Sequence, residues 1–253
     1  MVQRLEGSQV EDHGDHLLIR SPGEPGYWWG NALLLSDSPD ARRRRDWEDV
    51  FTQHLPEARH RAFGVDGVSG ETDGCEGLVR LGCERDLSDV MTATAVHEPP
   101  HPHPTAVCRL LDLTDPADVD AALAVRWANA PSPRPAGYEE FLVRRMATMR
   151  AVQLAGRGRW FGAFLDGEMR SGLGLVTDGS GVARYRSVDT RADSRGQGLA
   201  GTLVHYAATY GFEVLRATLL VIVADPGDRA ISVYRSVGFG TVEKQVRFQR
   251  APA

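Results

Sequence analysis

Lysine is almost missing from this 253-residue sequence: of 29 basic residues only Lys244 is a lysine, the rest being arginine. The bias reads as the mark of a GC-rich coding sequence rather than a demand for arginine's planar fork. Cysteine is scarce as well. Cys75, Cys83 and Cys108 are odd in number and form no Cys-x-x-Cys pair, which excludes a disulfide framework and a thiolate zinc site. They read as small buried apolar residues. No long apolar run exists. The longest, Leu219 to Ala224, falls far short of the ~20 residues that span a bilayer. The opening Met-Val-Gln-Arg-Leu-Glu has no apolar signal core, so the expectation is a soluble, cytoplasmic protein without membrane contact. A net charge of −5 argues against a general nucleic-acid binder. With 42% hydrophobic and 25% charged residues the chain is globular, and long enough for two modest domains.

The proline-rich stretch His97-Glu-Pro-Pro-His-Pro-His-Pro104 cannot form a helix or a central strand, and reads as a stiff extended connector. It divides the chain into residues 1–98, a linker at 99–105, and residues 106–253. His97, His101 and His103 have no cysteine or carboxylate at ligand spacing, and neither has the pair His13 and His16; no metal is expected. After the linker the pattern is regular. A strand at Val107–Leu113 leads to a helix opened by Asp115-Pro116 and running through Trp127, with proline where its missing N–H costs nothing. Tyr138–Leu154 has helical periodicity. Trp160–Leu165, Gly172–Thr177 and Val182–Asp189 read as strands, the first two joined by the hairpin signal Asp166-Gly167. A helix at Gly198–Phe212, a strand at Ala217–Ala224 apolar enough to be buried on both faces, a helix at Asp228–Val237 ended by Gly238, and an alternating strand at Thr241–Phe248 follow. That order specifies an α/β domain with a mixed α+β sheet.

The loop between the third of those strands and the next helix is the most informative stretch: Val188-Asp-Thr-Arg-Ala-Asp-Ser-Arg-Gly-Gln-Gly-Leu-Ala-Gly201. Small residues leave backbone N–H groups uncovered at a helix N-terminus, where the helix dipole favours an anion such as a pyrophosphate. Arg195 adds a full charge. The stretch has no Walker Gly-Lys-Ser/Thr. Gly196, Gly198 and Gly201 satisfy the spacing G-x-G-x-x-G, but the loop sits late in its domain, and the next strand carries its acid, Asp225, too soon for a dinucleotide fold.

Arg195-Gly-Gln-Gly198-Leu-Ala200 fits Arg/Gln-x-x-Gly-x-Gly/Ala, and Ala230-Ile-Ser-Val-Tyr234-Arg-Ser-Val-Gly238-Phe239 stands downstream. With a strand before the first motif and a helix after it, Val107 to Phe248 resembles the GNAT superfamily of N-acetyltransferases. The resemblance implies a GNAT fold and acetyl-CoA as cosubstrate. It implies that the amides of Arg195, Gly196, Gln197, Gly198, Leu199, Ala200 and Gly201 hold the pyrophosphate. The backbone of Val188, Asp189 and Thr190 then pairs with the pantetheine arm, and Tyr234 is the catalytic acid that protonates the leaving thiolate. A thiol of pKa ~8.5 and a phenol of ~10 are close enough for that transfer, whereas an aliphatic amine near ~10.4 needs a base or a water chain first.

The sequence departs from the family twice. Arg184, between Ala183 and Tyr185, stands where relatives that acetylate lysine carry a glutamate base; Arg184 or Arg186 is either an anchor for an anionic acceptor or a solvent-facing strand residue. Gly227 replaces a common cofactor-contacting asparagine, with Asp225 and Asp228 beside it. Asp225 is a base candidate or a helix cap. The acceptor is left as a primary amine, on a small molecule, peptide or protein. Transfer of a longer acyl chain and a non-catalytic acyl-CoA-binding sensor or scaffold are the other readings.

The first half echoes the second. Leu78-Val-Arg-Leu-Gly82-Cys83 parallels Tyr234 to Phe239, and Ala62 to Gly67 parallels Val223 to Gly227. A strand at Tyr27–Leu35, a helix at Pro39–His54, and the strand, helix and strand that follow keep the order of half a GNAT fold. The loop before its helix, Ser36-Asp-Ser-Pro-Asp40, is acidic, and Leu78 takes the place of Tyr234. The expectation is a degenerate GNAT-like repeat without a cofactor site, which helps form the acceptor cleft or a homodimer interface. Arg42 to Arg45 read as a solvated face, and Tyr27, Trp28 and Trp29 as core or domain interface.

Overall fold

The computed structural model describes residues 2–38, 42–43, 46–135 and 137–252. Its strands are β1 (Gln9–Asp12), β2 (His16–Arg20), β3 (Ala32–Ser36), β4 (Arg61–Asp66), β5 (Glu84–Ala93), β6 (Val107–Leu111), β7 (Gly158–Leu165), β8 (Glu168–Thr177), β9 (Val182–Thr190), β10 (Leu219–Ala224) and β11 (Gly240–Arg250). The principal helices are α1 (Trp47–His54), α2 (Glu76–Arg80), α3 (Pro116–Ala128), α4 (Tyr138–Leu154), α5 (Leu199–Glu213) and α6 (Ala230–Arg235). No described helix is long and apolar enough to cross a membrane. Two compact units are present, and they do not follow the split at the prolines. Gln3–Val90 joins Val242–Ala253 in the first, and Met91–Thr241 makes up the second.

In the first unit β1, β2 and β3 are antiparallel neighbours, and β3 runs parallel to β4 through α1. The last strand of the chain, β11, lies antiparallel on β4, with Phe248 opposite Phe63. Leu18, Leu33, Leu35, Trp47, Phe51 and Phe63 form the core beneath. The β1–β2 hairpin lies in the polar opening stretch, for which the sequence signals no strand. The reading of Tyr27–Leu35 as one strand is corrected at its start, because Trp28–Gly30 is a 3-10 turn. Asn31 fixes that turn: its amide donates to the carbonyls of Glu24 (2.8 Å) and Tyr27 (3.0 Å), and its oxygen accepts the Ser21 N–H (3.0 Å). Helix α1 is described from Trp47; Pro39, Asp40, Ala41, Arg44 and Arg45 lie outside the described residues. Arg42 is not on a solvated face. It is 2% exposed and donates to the Glu71 carbonyl at 3.2 Å.

In the second unit the strand order is β10-β9-β8-β7-β6. All neighbours are antiparallel except β9 and β10. Helix α3 begins as its sequence demands, with the Asp115 carboxylate accepting the Ala117 N–H at 2.9 Å and proline in the first turn. Phe161, Leu175, Leu203, Val204, Ala207 and Leu220 are fully buried between sheet and α5. At roughly 1.5–3 kcal/mol for each large side chain, that contact fixes α5 on β9 and β10. β10 buries one face completely and the other only partly, in strict alternation; its apolar run is that of a strand half-covered on its second face. The three cysteines are free; Cys75 and Cys83 are buried as expected, whereas Cys108 is only half-buried, its thiol pushed up to about 11 by desolvation.

Candidate functional site

β9 and β10 pair in parallel at Val182–Leu219, Ala183–Leu220 and Arg184–Val221, and beyond Arg184 they part. The cause lies on the other edge of β9. Across from β8, Arg186 faces Gly174 and Asp189 faces Gly172, so Ser187 and Val188 together oppose the single Leu173. Ser187 has a φ of 50°, the left-handed region that residues with side chains seldom enter. This bulge bends the strand. Among the described residues no strand covers the backbone edge of Tyr185–Thr190 on the β10 side, a surface to which another extended chain can add.

The chain then makes a 3-10 turn at Ala192–Ser194 and passes through two glycines in the left-handed region, Gly196 (φ 74°) and Gly198 (φ 84°), before α5. No side chain caps that helix. Among the described residues none accepts a hydrogen bond from the backbone N–H groups of residues 195–201; the first engaged is Thr202, bonded to the Gly198 carbonyl at 3.0 Å. Arg195 holds the loop's shape, donating from Nε to the Thr190 carbonyl (3.1 Å) and from Nη2 to Asn129 Oδ1 (3.0 Å). Leu199 anchors the helix start in the core at 1% exposure. The result is a ring of free amides at the positive end of a 15-residue helix.

The proline-histidine stretch is not a free connector. The His103 N–H donates to Thr202 Oγ1 at 2.9 Å, and the His97 N–H to the Val237 carbonyl at 3.0 Å. Pro99 covers Gly201, with its Cβ 3.2 Å from where a Cβ of residue 201 would lie. A Cβ on Gly198 would collide with the His101 carbonyl oxygen. Residues 97–103 therefore form a strap against the loop and the end of α6, and Gly198 is needed both for its left-handed φ and for this approach.

Tyr234, on α6, is 5% exposed, and its hydroxyl has no hydrogen-bond partner among the described residues. Burial, and then the negative charges of Asp228 and Asp189, raise its phenol above the ordinary range. Its neighbour Tyr185 donates instead to the Val204 carbonyl at 2.8 Å. The half-buried Asp189 has its carboxyl raised by burial, against the opposing charges of Arg126, 4.0 Å away, and Arg195. Asp189 also borders a cavity of about 20 Å³, room for about one water, under Trp160, Met146 and Met149. Asp225 and Asp228 are occupied locally: one carboxylate accepts the Gly227 N–H at 2.8 Å, the other the Ala230 N–H at 3.0 Å. Arg184 and Arg186 are half-buried and each has an interaction partner.

Splayed parallel strands, a bulge, a loop of free amides and a buried tyrosine coincide with a known pattern: residues 123–239 match the model of the acetyltransferase (GNAT) family. The chain carries a GNAT domain. Among solved structures, a functionally unknown conserved protein from Staphylococcus epidermidis superposes with a TM-score of 0.75 at 11% identity, over 97% of this chain and 95% of that one. A GCN5-related N-acetyltransferase from Kribbella flavida gives 0.62 at 16% identity, over 100% and 96%. A tandem GNAT protein from the clavulanic acid biosynthesis pathway gives 0.56 at 16%, over 87% and 74%. At these identities the likeness is one of fold. No protein of curated function matches the chain. Acyl transfer from an acyl-CoA is the chemistry that membership of this family suggests for such a domain.

Of the residues singled out from the sequence, three lie in or beside the bulge of β9. Val188 and Ser187 are the bulge residues without a partner on β8 or β10, and Thr190 is tied to Arg195 at the loop's foot. Asp189 and Tyr234 are close enough for the charge of one to shift the other. The strap and the side chain of Asp189 escaped the sequence reading. The strap's only trace there is the pairing of Gly198 and Gly201 with a stretch too proline-rich to be a strand. A raised carboxyl leaves no trace in sequence, because burial causes it.

Proposed function

We propose that this protein is an N-acetyltransferase that moves the acetyl group of acetyl-CoA to a primary amine by direct attack. The observation that carries the proposal is the adjacency of the uncovered β9 edge, the free amides of residues 195–201, and the unpartnered hydroxyl of Tyr234. Each suits one part of the cosubstrate. The amides suit the pyrophosphate. The edge around Val188, Asp189 and Thr190 suits the amide-bearing pantetheine arm, which can add as a short strand. The phenol suits the sulfur, where the departing thiolate needs a proton. Because burial holds the phenol protonated, it acts first by donating a hydrogen bond to the sulfur and completes the transfer as charge develops there.

The amine must lose a proton. Asp189 is the carboxylate this site offers: half-buried, raised, and coupled to Tyr234. In this reading Asp189 takes the proton of the attacking nitrogen, Tyr234 supplies the proton of the leaving sulfur, and the tetrahedral carbon collapses to an amide and a thiol.

The first unit takes no part in binding the cofactor. β3 and β4 pair at every position from Leu33–Phe63 to Ser36–Asp66 and do not splay, and Leu78, in the place of Tyr234, is 1% exposed in the core.

Ala200→Asp tests the pyrophosphate assignment cleanly. An acid in the first turn of a helix is tolerated or stabilising, so the variant should fold with an unchanged or higher Tm. Its charge beside the amides should weaken acetyl-CoA binding at least tenfold by calorimetry. Unchanged affinity would remove the assignment.

A further inference from the structure

A second chemistry lies in the first unit, on residues that the transfer reaction does not use. His13, in the turn between β1 and β2, His16, the first residue of β2, and His54, the last residue of α1, come together. One ring nitrogen from each lies within 4.8 Å of those of the other two. The rings of His13 and His16 stack, with centroids 4.8 Å apart and 9° between planes, and His54 meets His13 edge-on at 5.0 Å.

The state of His16 points to what the cluster takes. It is 5% exposed, and the edge of Trp47 closes its inner side at 5.4 Å. Its Nδ1 lies 2.6 Å from Asp15 Oδ1. An ionised carboxylate only accepts, so Nδ1 carries a proton, and in the neutral imidazole the lone pair is then on Nε2. That Nε2 is buried without a hydrogen-bond partner among the described residues. A buried, unpaired imidazole nitrogen is costly. A carboxylate that fixes the tautomer of an imidazole whose other nitrogen is free is the arrangement that supports a metal-bound histidine.

We propose that His13, His16 and His54 bind a divalent cation of the zinc class. Three neutral imidazoles suit Zn²⁺, Cu²⁺ or Ni²⁺ and do not suit Mg²⁺ or Ca²⁺, which take oxygen. At Zn–N distances near ~2.05 Å, tetrahedral ligands lie about 3.4 Å apart. The exposed His13 can supply the remaining closure by rotation of its side chain. Glu11, whose Oε2 is 3.7 Å from His13 Nε2, or a water completes the set. The ion would tie the β1–β2 hairpin to the end of α1. The sequence concealed the site because His54 lies far along the chain, and the pair His13/His16 alone has no metal spacing.

The test uses the full, tag-free chain stripped with a chelator and titrated with Zn²⁺ alone by calorimetry, with Co²⁺ absorption as a second readout. One equivalent should bind at micromolar metal, with a visible band for tetrahedral Co²⁺ and a rise in Tm. His54→Gln and His13→Gln should each weaken binding at least tenfold while keeping the metal-free Tm. Asp15→Asn, which frees the tautomer, should weaken it about tenfold or more. His101→Gln, an exposed histidine elsewhere, should change nothing. Absence of Zn²⁺ binding, or affinity that survives His54→Gln in a folded protein, would overturn the proposal.

Discussion

Replacing Tyr234 by Phe removes one oxygen and little else. The ring packs at 5% exposure in the core of the second unit, and the hydroxyl makes no hydrogen bond among the described residues, so no partner is orphaned. Stability should therefore stay within about 0.5 kcal/mol of wild type, as for a change that opens no cavity and breaks no bond. The affinity for acetyl-CoA should also hold, because amides and strand edge carry it. The rate should not. A positioned general acid is worth about 10²–10⁴-fold, and the lower figure corresponds to about 2.7 kcal/mol of transition-state stabilisation. The pH profile gives a second check. The phenol's acid form is the one required, and burial with Asp228 and Asp189 raises its pKa above the ordinary ~10, so the acid persists to higher pH than a free tyrosine would allow. Wild-type kcat should thus show no alkaline loss assignable to Tyr234 below pH ~10. The assay is thiol release from acetyl-CoA at saturating amine, from pH 6 to 10. Full activity in Tyr234→Phe, or a wild-type alkaline limb below ~10 that disappears in the variant, would rule out Tyr234 as the acid at the sulfur.

Asp189→Asn should lower kcat by about 10²-fold if the carboxyl takes the amine's proton. It should also leave the protein at least as stable as wild type at pH 7: a carboxyl raised by burial stabilises the fold only when protonated, so its contribution is full below ~4 and lost as pH rises through the raised value. The stability gap should close in acid, and a variant less stable at pH 7 would show that Arg126 rather than burial dominates. Gly198→Ala should cost about 1–2 kcal/mol for the left-handed φ alone and displace the strap as well, since the Cβ meets the His101 carbonyl. Faster proteolysis within residues 97–104 checks this; an unchanged cleavage pattern and Tm would show that the strap does not rest on the loop.

What the sequence discloses depends on how local each cause is. Helix α4 runs Tyr138–Leu154, and α3 opens at Asp115-Pro116, because periodicity and capping are properties of neighbouring residues. The loop 195–201 was legible for the same reason: glycines, an arginine and the strand and helix around it are contiguous. The start of β3 was not, because Asn31 fixes Trp28–Gly30 through bonds to Ser21, Glu24 and Tyr27 that no pattern announces. Nor was the place of β11. Its alternation marks a strand, but its pairing with β4 in the first unit is a choice among partners nearly two hundred residues apart. Arg42 was misread because a run of four arginines suggests solvent, while one carbonyl of Glu71 draws it inside. In the site, the bulge at Ser187 and the parting of β9 from β10 belong to the sheet and cannot be read from β9 alone.

Splayed strands that hold acetyl-CoA for attack by an amine should bind the thioester and give up its thiol only when an amine is present. The most direct measurement is release of free CoA from acetyl-CoA by the full chain across a panel of small-molecule amines, peptide N-termini and lysine side chains, paired with calorimetric binding of acetyl-CoA. Acetyl-CoA should bind, and thiol release should depend on the amine and be abolished by Ala200→Asp through binding and by Tyr234→Phe through rate. Tight binding with no release on any amine would contradict acetyl transfer and leave an acyl-CoA sensor in its place.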